Sequence, residues 1–398
     1  MISDKMKELV NNSSVIRAMF EEGKRLADIY GSENVYDFSL GNPNVPAPKA
    51  VNEAIKTIVD EEESVIVHGY MNNSGYDDVR KTIADSLNRR FDTGFDSSNI
   101  IMTVGAAGGI NVLFKAVMNP GDEVVVFAPF FGEYKSYTAN ADGHLVVVSP
   151  DTKTFGPNLA EFESRITAST KVVIINTPNN PTGVIYSEDT IKALADILNR
   201  KQKEFNSEII LFSDEPYREL AYDGIEVPYI TKYYNNSVVG YSYSKSLSLP
   251  GERIGYLVIP DELSDSLAVK SACNVATRIL GFVNAPSLMQ KVIAKCIDAD
   301  ISENIAIYNN NRETLYKGLS DIGFECVKPE GAFYMFVKTP IDDREFANMA
   351  KKYNILVVPG SAFSCGGYVR IAYCVAHDTI VNALPKFKEL AQELGISR

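Results

Sequence analysis

Short apolar runs alternate with amphipathic stretches through the centre of the chain. Runs rich in Val and Ile fall at 99–104, 123–128, 144–148, 171–176, 208–213, 237–241 and 256–259. Most show little alternation of apolar with polar residues, the pattern of strands buried on both faces of a parallel sheet. Helical periodicity lies between them, for example at 109–118 and 187–199. Strands interleaved with helices predict an α/β fold with a mostly parallel sheet between helical layers.

After about residue 285 the pattern changes. A long helical stretch, roughly 286–320, leads into shorter strands at 324–327, 331–337, 355–358 and 368–372, and a final helix at about 379–394. This reads as a smaller α+β unit. The first 45 or so residues carry a helix but no central strand and are placed with that unit or across its interface. The expected division is therefore 46–285 for a large domain, and 1–45 with 286–398 for a small one. No Gly/Ser-rich linker marks the join, so the two parts should pack closely.

A chain of 398 residues can hold two domains around a substantial core. Its 39 Lys plus Arg against 51 Asp plus Glu leave a net charge of −12. That balance argues against nucleic acid or an anionic membrane surface as main partner. A local arginine cluster can still reverse the field inside one cleft, so an anionic small substrate stays open. No apolar run approaches the roughly 20 residues that span a bilayer, and the N-terminal 14 residues lack the apolar core of a signal peptide. Five cysteines without a CxxC pair read as reduced thiols of a cytoplasmic protein. Three scattered histidines offer no metal cluster.

Four segments carry candidate chemistry. In Tyr241-Ser-Tyr-Ser-Lys-Ser-Leu-Ser-Leu-Pro-Gly-Glu-Arg-Ile-Gly255, Lys245 follows an apolar strand and stands among hydroxyls, with Arg253 eight residues on. A lysine that forms a Schiff base needs a neutral fraction, which partial burial and nearby positive charge supply. Ser242, Ser244 and Arg253 suit a phosphate; the plain alternative is a surface lysine in a Ser-rich loop. Asp214 ends the apolar run Ile209-Ile-Leu-Phe-Ser and opens Asp-Glu-Pro-Tyr217. Catalytic groups gather at the carboxyl ends of strands in open α/β sheets, and a carboxylate there can keep a pyridine nitrogen protonated. Tyr217 could reach the ring's phenolic oxygen. An N-cap aspartate at a strand-to-helix turn explains Asp214 equally well.

Third, Asn176-Thr-Pro-Asn-Asn-Pro-Thr-Gly183 makes a rigid turn directly after a strand and can present Asn180 to a ligand. Fourth, Val104-Gly-Ala-Ala-Gly-Gly-Ile110 joins a strand to a helix, where small residues let backbone N–H groups approach an anion. The rival for the glycines is a dinucleotide fingerprint. That reading wants an acidic residue at the end of the next strand, which here ends in Ala128-Pro129.

Taken in chain order, NxPNNPTG, DEPY and SxSKxxxxxGxRxG resemble the class I/II, fold-type I aminotransferases, nearest to the aspartate and aromatic aminotransferase group. The resemblance covers essentially the whole chain. It implies a seven-stranded, mostly parallel sheet in a large domain, a small domain, pyridoxal 5'-phosphate as cofactor, and a homodimer with active sites at the interface. It implies an enzyme that moves an amino group between an L-amino acid and a 2-oxo acid through a Lys245 aldimine and a pyridoxamine form. By motif, Lys245 matches the Schiff-base lysine and proton shuttle, Asp214 the partner of the pyridine nitrogen, and Tyr217 and Asn180 the ligands of the ring oxygen. Ala106 and Ala107 match the backbone phosphate positions, joined by Ser242, Ser244 and Arg253. Phe131 matches the aromatic residue stacked on the ring, usually Tyr or Trp in the family. Tyr70 resembles the tyrosine that reaches the other subunit's phosphate. Arg370, in an apolar strand pattern, resembles the clamp on the substrate α-carboxylate, beside Asn180 and the backbone of Gly41. Arg278 lies near where aspartate aminotransferases place an arginine for a side-chain carboxylate, although the spacing differs. The same cofactor site would also serve a carbon–sulfur β-lyase or a β-decarboxylase. A non-catalytic cofactor-binding regulator is the alternative of another class.

Overall fold

The computed structural model of the chain describes residues 1–3, 6, 7, 10 and 15–396. The reading of residues 1–14 against a signal peptide falls mostly outside the described residues. Strands run β1 (Tyr36–Asp37), β2 (Ile100–Thr103), β3 (Glu123–Phe127), β4 (His144–Val148), β5 (Thr170–Asn176), β6 (Ile210–Asp214), β7 (Ser237–Ser242), β8 (Gly255–Val258), β9 (Tyr334–Lys338), β10 (Ile355–Leu356), β11 (Val358–Pro359) and β12 (Tyr368–Ala372). The helices that frame them include α1 (Gly105–Val117), α2 (Glu188–Phe205), α3 (Tyr243–Ser246), α4 (Ser266–Ile279), α5 (Ser287–Cys296), α6 (Ser302–Ile322) and α7 (His377–Glu393).

Every central strand expected from the apolar runs is present, in one seven-stranded sheet of order β2-β8-β7-β6-β5-β3-β4. Only β8 runs antiparallel to its neighbours β2 and β7. The apolar runs lack alternation because both faces are buried. Val125, Phe127, Val173 and Ile175 enter one core, while Val124, Val126, Val172 and Ile174 enter the other. Each such side chain, fully buried, contributes about 1.5–3 kcal/mol. The register sets Asn176 beside Asp214 and Asp214 beside Gly240, so three parallel strands deliver their carboxyl ends to one place.

A third core gathers residues of β9, α6, α7 and the segment 36–45. Here β11, β12 and β9 form an antiparallel sheet, and β1 pairs with β10 in parallel, Tyr36 opposite Ile355. Among the described residues no helix is long and apolar enough to cross a membrane.

Several boundaries differ from the sequence expectation, each for a local reason. The helix expected over 286–320 is two, α5 and α6, parted around Asp298-Ala-Asp300, where Asp300 accepts the Ser302 N–H (2.9 Å). Short polar side chains that bond the backbone compete with helix continuation. The strand at 324–327 shrinks to a bridge between Cys326 and Val337. The strand at 331–337 begins only at Tyr334, because Ala332 adopts a positive φ of 56°. The run 355–358 splits between two sheets. The glycine run before Ile110 is not a connector but the first turn of α1 itself. α2 continues to Phe205, where Asn206 ends it in the left-handed region.

Candidate active site

A cavity of about 280 Å³ opens at the carboxyl ends of β5, β6 and β7. Its walls include Lys245, Asp214, Tyr217, Asn180 and Arg370. Ala106, Ala107, Ser242, Ser244 and Arg253 line it too, as do Phe131 and Gly41. Residues far apart in the sequence are thus brought to one place.

Lys245 sits on α3, the single turn that follows β7, and its Nζ donates to the Gly41 carbonyl (2.7 Å). The ammonium lies 5.4 Å from the Phe333 ring centre and 6.0 Å from that of Tyr217. Burial, assisted by Arg370 and Arg253, lowers its pKa from 10.5 to about 8. Asp214, at the end of β6, is 5% exposed. Its Oδ2 accepts the Tyr134 hydroxyl (2.6 Å), while Oδ1 has no hydrogen-bond partner among the described residues. Burial, reinforced by neighbouring Glu215, raises its pKa to about 7. An unpartnered, buried carboxylate oxygen in the wall of a cavity calls for a cationic N–H.

The Asn176–Gly183 turn is wired into this arrangement. Asn176 donates to the Asp214 carbonyl (2.8 Å) and its Oδ1 accepts the Asn180 N–H (2.7 Å). Asn180 Oδ1 accepts from Arg370 Nη1 (3.0 Å), and Arg370 Nη2 donates to the Ser39 carbonyl (2.6 Å). The guanidinium lies over the Tyr334 ring (4.6 Å), and Nε has no partner among the described residues. A buried guanidinium with spare donors suits a carboxylate. Opposite, Ala106 and Ala107 open the first turn of α1, where a helix leaves its N–H groups without intrahelical partners. The Ser242 and Ser244 hydroxyls touch (2.7 Å). Arg253 stands in the left-handed region at φ 54°, and a Cβ on Gly105 would come within 2.8 Å of its Nη2. Hydroxyls, helix N–H groups and a guanidinium make an anion cradle.

Two predicted residues stay outside. Tyr70 is 93% exposed, and Arg278 lies exposed near the end of α4. Two further residues escaped the sequence reading. Tyr134 holds Asp214, and its signal was its place three residues after Phe131 in Ala128-Pro-Phe-Phe-Gly-Glu-Tyr134. Tyr334 bonds the Tyr217 hydroxyl (2.8 Å) and supports Arg370; inside an apolar strand it gave no signal.

A family model described as aminotransferase class I and II matches residues 32–387. A probable aspartate aminotransferase of Methanocaldococcus jannaschii is 30% identical over 98% of this chain and all of its own length. Among solved structures, an aminotransferase from Eubacterium rectale superposes with a TM-score of 0.96, at 47% identity over 99% of both chains. Aspartate aminotransferase from Thermus thermophilus with maleate gives 0.86, at 25% identity over 95% of this chain and 97% of that one. Matched along nearly all its length in sequence and in fold, the chain belongs to the class I and II aminotransferases, and it is an aminotransferase.

Proposed function

We propose that this cavity holds pyridoxal 5'-phosphate and transfers an amino group between an L-amino acid and a 2-oxo acid, with aspartate-type substrates. The observation that carries the reading is the pairing of an amine of lowered pKa with a buried carboxylate oxygen that lacks a partner, in one cavity. The residues fit the group. Asp214 Oδ1 would meet the pyridine nitrogen, Tyr217 and Asn180 the ring oxygen, and Phe131 the ring face. Ala106, Ala107, Ser242, Ser244 and Arg253 would take the phosphate, and Lys245 the aldehyde carbon. When bound, the cofactor supplies a conjugated ring that stabilises negative charge at the substrate's Cα.

The chain's own residues supply the rest. Arg370, steadied by Asn180 and Tyr334, binds the α-carboxylate with its free donors and orients the Cα–H bond. Lys245 Nζ accepts the Cα proton and delivers it to the neighbouring carbon. A pKa of about 8 leaves a useful neutral fraction near neutrality. Asp214 keeps the ring nitrogen protonated, and Tyr134 keeps Asp214 in place.

A homodimer completes the site in this reading. Asn73 donates to the Val283 carbonyl and Asn284 to that of Met71, so Tyr70 and the segment after Arg278 share one surface. Val65, Ile66 and Ile279 are exposed apolar side chains in the same segments, and such surfaces mark subunit contacts. From a partner, Tyr70 would reach the phosphate and Arg278 a side-chain carboxylate. The solved relative with maleate, a dicarboxylate, supports that specificity. The boundaries 46–285 against 1–45 with 286–398 are proposed as the two domains, and five unpaired thiols support a cytoplasmic setting. The test is a panel of aspartate, glutamate, alanine and phenylalanine against 2-oxoglutarate, oxaloacetate and pyruvate. Aspartate with 2-oxoglutarate should be preferred. Pyruvate released from a cysteine-like substrate without an acceptor would instead identify a lyase. Unchanged aspartate preference in Arg278→Ala would remove that arginine's role.

A further inference from the structure

Ala332 is fully buried, yet its backbone sits in the left-handed region at φ 56°. For a residue with a Cβ that conformation is unfavourable, and it persists only where the surroundings over-determine it. They do so here. The Ala332 N–H donates to the Leu220 carbonyl (2.8 Å). Its carbonyl accepts both the Tyr222 hydroxyl (2.5 Å) and the Tyr373 hydroxyl (3.2 Å). Just before it, the N–H groups of Glu330 and Gly331 donate to the Gly183 carbonyl (2.9 and 2.8 Å). A Cβ on Gly331 would come within 2.7 Å of Pro178, so this segment lies tight against the Asn176–Gly183 turn. The Arg312 guanidinium lies over the Tyr222 ring (4.5 Å) and donates to the Pro329 carbonyl (2.8 Å).

Of the two residues that follow, Tyr334 lines the cavity and Phe333 packs behind Lys245 and Tyr217. Phe333 lies beneath the Lys245 ammonium and edge-on to Tyr217. Tyr334 carries Arg370 on its ring face and bonds the Tyr217 hydroxyl. Its own hydroxyl occupies the space that a side chain at Gly41 would need.

We infer that Ala332, with Tyr222 and Tyr373 on its carbonyl, forms a positioning device that sets Phe333 against Lys245 and aims Tyr334 into the site. Through Tyr334 it sets the Tyr217 hydroxyl and the height of the Arg370 guanidinium. The inference rests on the reading of Arg370 and Tyr217 as substrate and cofactor contacts. Misplacement of such groups by a fraction of an ångström costs binding and rate.

The test is the double variant Tyr222→Phe/Tyr373→Phe, with and without Ala332→Gly. Without the two hydroxyls, alanine should leave the left-handed region. KM for the best amino donor of the four should rise about tenfold with a smaller change in kcat. The pH midpoint of cofactor absorbance should shift, and a crystal structure should show the Tyr217 and Tyr334 hydroxyls beyond hydrogen-bonding distance of each other. Glycine adopts positive φ freely, so adding Ala332→Gly should recover most of the KM. A purely structural role for the two hydroxyls predicts no such recovery. An unchanged KM and an unchanged backbone at 332 in the double variant would overturn the inference, as would failure of glycine to restore KM. Should the double variant not fold, Tyr373→Phe alone, which removes the longer bond, must raise KM; an unchanged value overturns it. Wild-type protein that uses none of the four donors would sink the functional reading, while the backbone at 332 in the variant crystal would still decide this one.

Discussion

Lys245 and Asp214 are both buried ionisable groups, and burial moves their pKa values in opposite directions. Asp214 keeps its proton to about pH 7, against an ordinary 3.8. Between those limits the folded chain binds more protons than the unfolded one, so stability falls as pH rises through that window. The shift corresponds to roughly 4 kcal/mol. Lys245, lowered from 10.5 to about 8, leaves the extra proton on the unfolded chain between those values. Stability then rises with pH across that second window. The cofactor-free protein should therefore be least stable between about pH 7 and 8, where both charges are buried. Urea melts from pH 4 to 9, below the range where buried thiols of raised pKa work in the opposite sense, measure this; Asp214→Asn should remove the fall at lower pH and keep the rise above pH 8. A melt series in that variant that still falls from pH 4 to 7 would contradict the assignment. Asp214 and Arg370 were legible in the sequence because each interrupts or ends an apolar run where a charge is costly, and Lys245 because it follows such a run among hydroxyls with Arg253 eight residues on. Tyr134 and Tyr334 were not, since a tyrosine in such a run looks like core until its hydroxyl partner is known.

Strand ends and helix starts convert those residues into a site. β5, β6 and β7 are parallel and in register, so Asn176, Asp214 and the Ser242–Lys245 turn emerge at one level. The first turn of α1 faces them, and Gly105 holds it there at φ 75°. An alanine at 105 would be strained at that φ and would push on the Arg253 guanidinium. Gly105→Ala should cost about 1–2 kcal/mol of stability and weaken cofactor affinity about tenfold, near the loss of one charged hydrogen bond. Equilibrium dialysis with pyridoxal phosphate checks this; undiminished affinity would mean that Arg253 takes no part in the cradle. The long buried strands were readable because their apolar runs have no other use. Of the short elements after residue 320, β12 was read at its observed bounds, 368–372, but the others were not. Two-residue strands such as β10 and β11 are defined by their pairing partners and not by any pattern of their own, and the left-handed φ falls on Ala332, one residue past the glycine where it would be expected.

At the scale of the whole molecule, seven strands with two faces of buried side chains hold the cavity's floor, and the third core carries Arg370 and Tyr334 to its roof. Tyr70 and Arg278 do not line the Lys245 cavity of their own chain, and the proposed dimer would bring them to the partner's. Mixing Tyr70→Ala with Lys245→Ala protomers under subunit exchange should then restore roughly a quarter of wild-type activity, because half of the randomly formed dimers hold one intact site. No recovery from that mixture would place Tyr70 outside a shared site. Convergence of an amine, a carboxylate and a phosphate cradle on one cofactor is best examined chemically. The protein is loaded with pyridoxal phosphate, reduced with borohydride and mapped by peptide mass spectrometry. The modification should fall on the peptide that carries Lys245 and vanish in Lys245→Ala; label on a different lysine, or none in the wild type, would contradict the site described.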